Sequence, residues 1–134
     1  MATSTATRSN VDLIERLYDA FGRGDIATVL DAYDEQIEWT SAEGAAYPGT
    51  FVGKEAVLTN IFARLGSEWD GFRAEPTEYL DAGDQVVALG RYSGTYKATG
   101  RSMNAAFAHV WTLRDGRIMR YRQYVDSRKM AEAL

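Results

Sequence analysis

A chain of 134 residues with 46% hydrophobic and 25% charged side chains has the composition of one soluble globular domain. It is long enough to bury about 65–70% of its unfolded surface without a disulfide or a metal to hold it together. The net charge of −4, a pI near 5.0 and scattered basic residues exclude the basic stripe expected of a nucleic-acid-binding protein. The absence of cysteine excludes thiol chemistry, and with a single histidine a zinc or iron site built from nitrogen and sulfur is disfavoured, so no metal is expected.

No apolar run approaches the ~18 residues of a membrane span, and the opening MATSTATRS lacks the apolar core of a secretory signal. The expectation is a cytoplasmic protein without membrane partners, with residues 1–9 as a disordered lead and 10–134 as a single domain.

In chain order, Ser9 or Asn10 caps a first helix, with Leu13, Ile14, Leu17, Tyr18 and Phe21 at helical spacing. Gly22 and Gly24 stop it. Asp25 caps a second helix with Ile26, Val29, Leu30 and Tyr33 on its apolar side. Residues 36–41 read as a strand with Ile37, Trp39 and Ser41 on one face. The loop 42–53 contains Pro48-Gly49 and places Tyr47 at the mouth as a lid residue. Residues 54–65 read as a third helix, with Ala56, Val57, Ile61, Phe62 and Leu65 as its apolar set.

From Phe72 the period changes to that of strands. The strand 72–80 is interrupted by Pro76, which predicts an edge position or a bulge. After the turn at 81–84, a long strand runs over 85–97, with Gly90 and Gly94 marking curvature. Two further strands occupy 101–128, joined at Asp115-Gly116, a pair suited to the positive φ angles of a type I′ turn.

That turn predicts a register in which Leu113 faces Ile118, His109 faces Arg122, Phe107 faces Tyr124 and Ala105 faces Asp126. Side-chain alternation then gathers Phe107, His109, Trp111, Arg120, Arg122, Tyr124 and Asp126 on one face, where aromatic walls, an imidazole, a carboxylate and an arginine suit a ligand cavity. The opposite face, with Val110, Tyr121 and Val125, is too apolar for water and is expected to form a homodimer interface. Helices followed by a four-strand meander make an α+β fold, with helices on one face of a curved antiparallel sheet.

The segments LYDAFGRGDIATVLDAYDEQIEW, GTFVGKEAV, SGTYKATGR and AHVWTLRDGRIMRYRQYVDS resemble the nuclear transport factor 2-like superfamily, in its SnoaL-like and ketosteroid isomerase-like branch. The resemblance covers nearly the whole chain from Val11. It implies a cone-shaped curved antiparallel sheet closed by N-terminal helices (a cystatin-like α+β roll) with a deep apolar pocket, often dimeric. Against ketosteroid isomerase-like enzymes, the general-base position falls on Ser41 and the oxyanion-hole positions on Leu17, beside Tyr18, and on His109. A serine cannot shuttle a proton between carbons as a carboxylate does. Against limonene epoxide hydrolase the catalytic set falls on Ser93, Arg91 and Asp126, and the water-holding pair on Trp39 and Ser41. The SnoaL-like polyketide cyclases place an Asp in the closing Tyr-x-Asp segment, which matches Tyr124-Val125-Asp126.

These readings make Asp126 the candidate acid or base, against the alternative of a cap on the following helix, and His109 its polar partner. Arg91, which lies opposite Phe107 if its hairpin pairs about Thr99, and Arg122 are the candidates for orienting a ligand, against snorkelling at the cone mouth. Tyr124, Trp39, Phe107, Trp111 and Tyr18 are candidate pocket wall or ordinary core. The expected function is a pocket for a small apolar organic molecule. Cofactor-free acid–base isomerisation, cyclisation or hydration is the enzymatic reading. A non-catalytic ligand-binding or dimerisation module of the same fold is the alternative.

Overall fold

The computed structural model describes residues 5–134; residues 1–4 of the expected lead lie outside the described residues. The first helix, α1, spans Thr5–Gly22, so Ser9 and Asn10 sit inside it and neither acts as its cap. Asn10 instead donates to the Gly83 carbonyl at 3.1 Å, tying the helix to the turn at the far end of the sheet.

The end of α1 follows from Gly24, whose φ of +75° is open to glycine and strained for most other residues. Gly24 N–H reaches Phe21 O at 3.0 Å and Asp25 N–H reaches Ala20 O at 2.9 Å, the two bonds of a Schellman motif. Asp25 then caps α2 (Ile26–Asp31), accepting from Thr28 N at 3.2 Å and Thr28 Oγ1 at 2.7 Å. One αL glycine and one carboxylate thus reverse the chain, presenting Ile14, Leu17, Tyr18 and Val29 to the core.

β1 (Tyr33–Ser41) buries Tyr33, Ile37, Trp39 and Ser41. A short β2 (Gly49–Val52) lies within the stretch expected to be loop and pairs antiparallel with β1. The third helix is longer than its apolar set: α3 (Lys54–Val57) continues through a π-helical turn (Leu58–Phe62) into α4 (Ala63–Glu68). Such a turn shifts the facing of a helix part-way along, and here it holds the buried Ile61 and Phe62.

The long strands β3 (Trp69–Ala82), β4 (Gln85–Tyr96), β5 (Arg101–Arg114) and β6 (Arg117–Val125) form the meander, and α5 (Ser127–Ala133) closes the chain. The sheet order is β2-β1-β6-β5-β4-β3. All neighbours are antiparallel except β1 and β6, so the sheet is mixed. β3 bulges between Pro76 and Glu78, where the proline predicts it.

The Asp115-Gly116 turn has φ of 52° and 76°, and pairs Arg114 with Arg117 and Leu113 with Ile118 as predicted. Two one-residue differences from the predicted register follow, and they decide the site. Arg120 pairs with Thr112, which makes Met119 the extra residue of a bulge. Because side chains alternate with period 2, that one residue turns over every later position of β6. His109 faces Gln123 instead of Arg122, and Trp111 faces Tyr121. The second difference lies at the β4–β5 turn: Tyr96 pairs with Arg101, so Gly90 faces Phe107 and Arg91 faces Ala106.

The predicted dimer face changes with the first of these. Tyr121 is 1% exposed in the core, and Val125, paired with Phe107, packs against it. Only Val110 of the three named residues stays on the outer face, opposite Arg122.

Candidate functional site

The concave face of the sheet, α1, the helix of α3–α4, the loop 42–48 and α5 surround a cavity. Its atom-free space, including the open mouth, is about 700 Å³. Leu17, Phe21, Val29, Ile61, Phe62 and Leu65 make the helical wall. Trp39, Trp69 and Trp111 line the sheet side. Among the described residues no Asp, Glu, Lys or Arg lines the cavity, and no group of three or more His, Cys, Asp or Glu sits together as a metal site.

His109 is the polar centre. It is 3% exposed, and its ring stacks on Phe107 at 3.9 Å between centroids. Phe107 therefore supports the imidazole from below; it does not line the cavity. Nδ1 lies 2.5 Å from the Tyr18 hydroxyl on α1, and Nε2 is hydrogen-bonded to the Tyr92 hydroxyl on β4. Burial pushes the imidazole well below its usual range, so the ring is neutral near pH 7. Burial likewise raises Tyr18 well above the usual phenol range, and Tyr92 is pushed up to about 12, so both keep their protons.

The outer ends of this chain are fixed by groups with one possible role. The Trp111 indole, a donor only, gives its Nε1–H to Tyr18 Oη at 2.9 Å. Gln123 accepts the Ala42 backbone N–H on Oε1 at 3.1 Å, which turns its Nε2 towards Tyr92 Oη at 2.8 Å as donor. Five donors, from Trp111, Gln123, both tyrosines and one imidazole N–H, therefore meet four contacts. Among the described residues one tyrosine O–H is left without an acceptor. The Tyr121 hydroxyl, beside that of Tyr92, adds one donor and at most one contact, so the surplus remains. A neutral apolar cavity with a spare phenolic donor is built to hold an acceptor oxygen.

At the mouth, Tyr47 is 7% exposed and donates to Glu68 Oε1 at 2.7 Å. It accepts from Trp69 Nε1 at 3.1 Å and lies under the Arg64 guanidinium, 4.2 Å from its ring centroid. Arg64 pairs with Glu68 at 2.9 Å, which holds that carboxyl below its usual range. Met130 of α5 accepts the Ala46 N–H on sulfur at 3.3 Å, closing the other side.

Of the residues singled out from sequence, His109, Tyr18, Trp39 and Trp111 meet at the cavity. Phe107 stays beneath the imidazole, and the two register differences take Arg91, Arg122, Tyr124 and Asp126 away. Asp126 is exposed and caps α5, accepting from Lys129 N at 3.2 Å. Tyr124 is 53% exposed on the outer face. Arg91 is exposed and donates to Asn104 Oδ1 at 2.5 Å. Arg122 lies on the outer face as well, its Nε buried with no partner among the described residues. Asp126→Ala is accordingly expected to cost about 1 kcal/mol of stability through loss of the cap, measured by urea denaturation, and to leave ligand titrations unchanged.

Tyr92 and Gln123 are site residues that the sequence reading does not name. Tyr92 was within reach, because Val86, Ala88, Gly90 and Tyr92 alternate along β4 towards the core. Gln123 was hidden behind the Met119 bulge.

The SnoaL-like domain family model matches residues 14–121. The fold is similar to an NTF2-like protein from Burkholderia thailandensis, with 38% identity, 91% of this chain and 94% of that one covered, and a TM-score of 0.88. An NTF2-like protein of unknown function from Burkholderia pseudomallei shares 28% identity over 92% of this chain and 95% of its own, with a TM-score of 0.84. TerC, co-crystallised with polyporic acid, shares 27% identity over 92% and 96%, with a TM-score of 0.81. No curated protein matches the chain. With most of its length matched by the family model, this chain belongs to the SnoaL-like domain family and has its NTF2-like fold.

Proposed function

We propose that the protein binds a small, uncharged, largely apolar organic molecule in the cone, with a carbonyl or similar acceptor oxygen directed at the Tyr18–His109–Tyr92 chain. The observation carrying this reading is the surplus donor in a cavity whose lining holds no charged side chain. A charged ligand would lose its hydration with nothing to replace it. An acceptor oxygen gains the hydrogen bond that the protein cannot complete alone. TerC, a relative of 27% identity, was crystallised with polyporic acid, in keeping with small-molecule binding in this fold.

Acetophenone and α-methylstyrene test the reading, because they share a shape and differ in C=O against C=CH2. Tryptophan fluorescence titration reads the binding, since all three tryptophans of the chain line the cavity. Acetophenone is expected to bind about tenfold more tightly, the worth of one net hydrogen bond. Tighter binding of α-methylstyrene, or no saturable binding of either, would contradict it.

We also propose that a second copy of the chain covers the outer sheet face. Val110 and the exposed Tyr124 lie there beside Arg122, whose buried Nε has no partner among the described residues of one chain. Sedimentation at micromolar concentration is expected to show a dimer, and a monomer would overturn the proposal.

A further inference from the structure

We propose that His109 is a tautomeric proton relay, through which a proton taken from a bound ligand at one tyrosine is returned to it at the other. This deepens the reading of the same pocket and rests on it for the ligand, but the relay itself is a property of the unliganded protein.

The inference follows from where the surplus proton can sit. With the hydrogen on Nε2, the ring donates to Tyr92 Oη and accepts from Tyr18 at Nδ1. Tyr92 then receives bonds from both His109 and Gln123, and its own O–H is turned to the ligand or to the Tyr121 hydroxyl beside it. With the hydrogen on Nδ1 the pattern is mirrored. Tyr18 receives from His109 and Trp111, and the free O–H is on Tyr18. Each arrangement makes the same four hydrogen bonds, so no bond count separates them, and no charged side chain lines the cavity to favour one. Had Trp111 or Gln123 been able to accept, either tyrosine could have turned its proton outward and the ring would be free of this choice. As donors, they make the free donor and the imidazole tautomer one variable.

The step this permits is balanced without a change of net charge. Starting from the Nε2–H form, Tyr92 gives its free proton to an acceptor oxygen of the ligand and takes the Nε2 hydrogen. Nδ1 takes the proton of Tyr18, and Tyr18 takes an acidic hydrogen from the ligand. The ligand leaves as its tautomer and the ring is left as the Nδ1–H form; in the emptied site a water molecule that takes a proton from Tyr18 and gives one to Tyr92 resets it. An enolisable ketone or a vinylogous acid, with an acceptor oxygen at one edge and an acidic hydrogen at the other, is the class such a chain serves. No charged intermediate forms, which suits a site where burial opposes the imidazolium.

His109 is the only histidine, so the imidazole nitrogens of 15N-labelled protein give an unobstructed spectrum. The relay predicts a neutral ring whose two nitrogen shifts are drawn together by exchange between tautomers. Tyr18→Phe removes the Nδ1 partner and should lock the ring as Nε2–H; Tyr92→Phe should lock it as Nδ1–H, the mirror spectrum. Widely separated shifts of one fixed tautomer in wild type overturn the relay, and so does the same tautomer in both variants. The wild-type spectrum decides the first point even if a variant fails to fold. No ligand is needed, so acetophenone binding with a fixed tautomer would sink the relay and leave the pocket reading intact.

Discussion

Lowering the pH from 7 to 5 is expected to destabilise the wild-type fold by about 2 kcal/mol more than it destabilises a His109→Leu variant. In the unfolded chain His109 titrates near its reference value of ~6.5. In the folded chain burial holds the ring well below that value. The unfolded state therefore binds a proton that the folded state refuses. The stabilisation is fully present above the unfolded value and is lost as the pH falls below it, by up to about 1.4 kcal/mol per pH unit. The groups facing the ring are Tyr18 from α1, Tyr92 from β4 and Tyr121 from β6, with Phe107 and Trp111 beside it on β5. None is charged near neutral pH, so none offers the imidazolium an ion pair. Urea denaturation at several pH values measures the effect. The leucine variant is less stable at pH 7, since two buried hydroxyls each lose a partner, but its profile is flatter through this window. Parallel profiles for the two proteins would mean that His109 takes up its proton inside the fold.

Gly90→Ala is the most damaging small substitution the structure predicts, costing about 2–4 kcal/mol. A methyl group at Gly90 would lie 2.3 Å from Glu75 O, 2.6 Å from Pro76 Cα and 2.8 Å from Phe107 Cζ. Two of these are backbone atoms of β3, so no side-chain rotation relieves the overlap. β3 has to retreat from β4 where it already bulges at Pro76, and Phe107 has to leave the ring it supports. The loss of stability should therefore come with weakened acetophenone binding. Gly66→Ala in α4 is the matched control: nothing lies within 4 Å of the added methyl, and the better helix propensity is expected to stabilise by about 0.5–1 kcal/mol. Thermal or urea unfolding of the two variants should move in opposite directions.

The two substitutions also mark what the chain makes legible. Local patterns were readable. The stripe Ile14, Leu17, Tyr18 and Phe21, the Gly24–Asp25 reversal, the Asp115-Gly116 turn and the inward run Phe107, His109, Trp111 and Leu113 each follow from a spacing or a turn chemistry that one segment contains. The resemblance added the cone that arranges them. Register was not readable, because it is a relation between two segments. Nothing in Arg117-Ile118-Met119-Arg120 announces that Met119 will bulge, and the loop after Tyr96 could pair about Thr99 or half a residue earlier. Each choice moves whole strands of side chains between core and solvent. Together they carried Arg91, Arg122, Tyr124 and Asp126 outward and brought Tyr121 and Gln123 inward. A charge-bearing site became a neutral one through two single-residue shifts.

The measurement that bears most directly on that neutral site is a crystal structure of the protein soaked with acetophenone. The ring is expected against Trp39, Phe62 and Leu65, with the carbonyl oxygen within hydrogen-bonding distance of the Tyr18 or Tyr92 hydroxyl. Acetophenone bound at Asp126, Arg91 or the outer face of the sheet, or seated in the cone with its oxygen turned from both tyrosines, would contradict it.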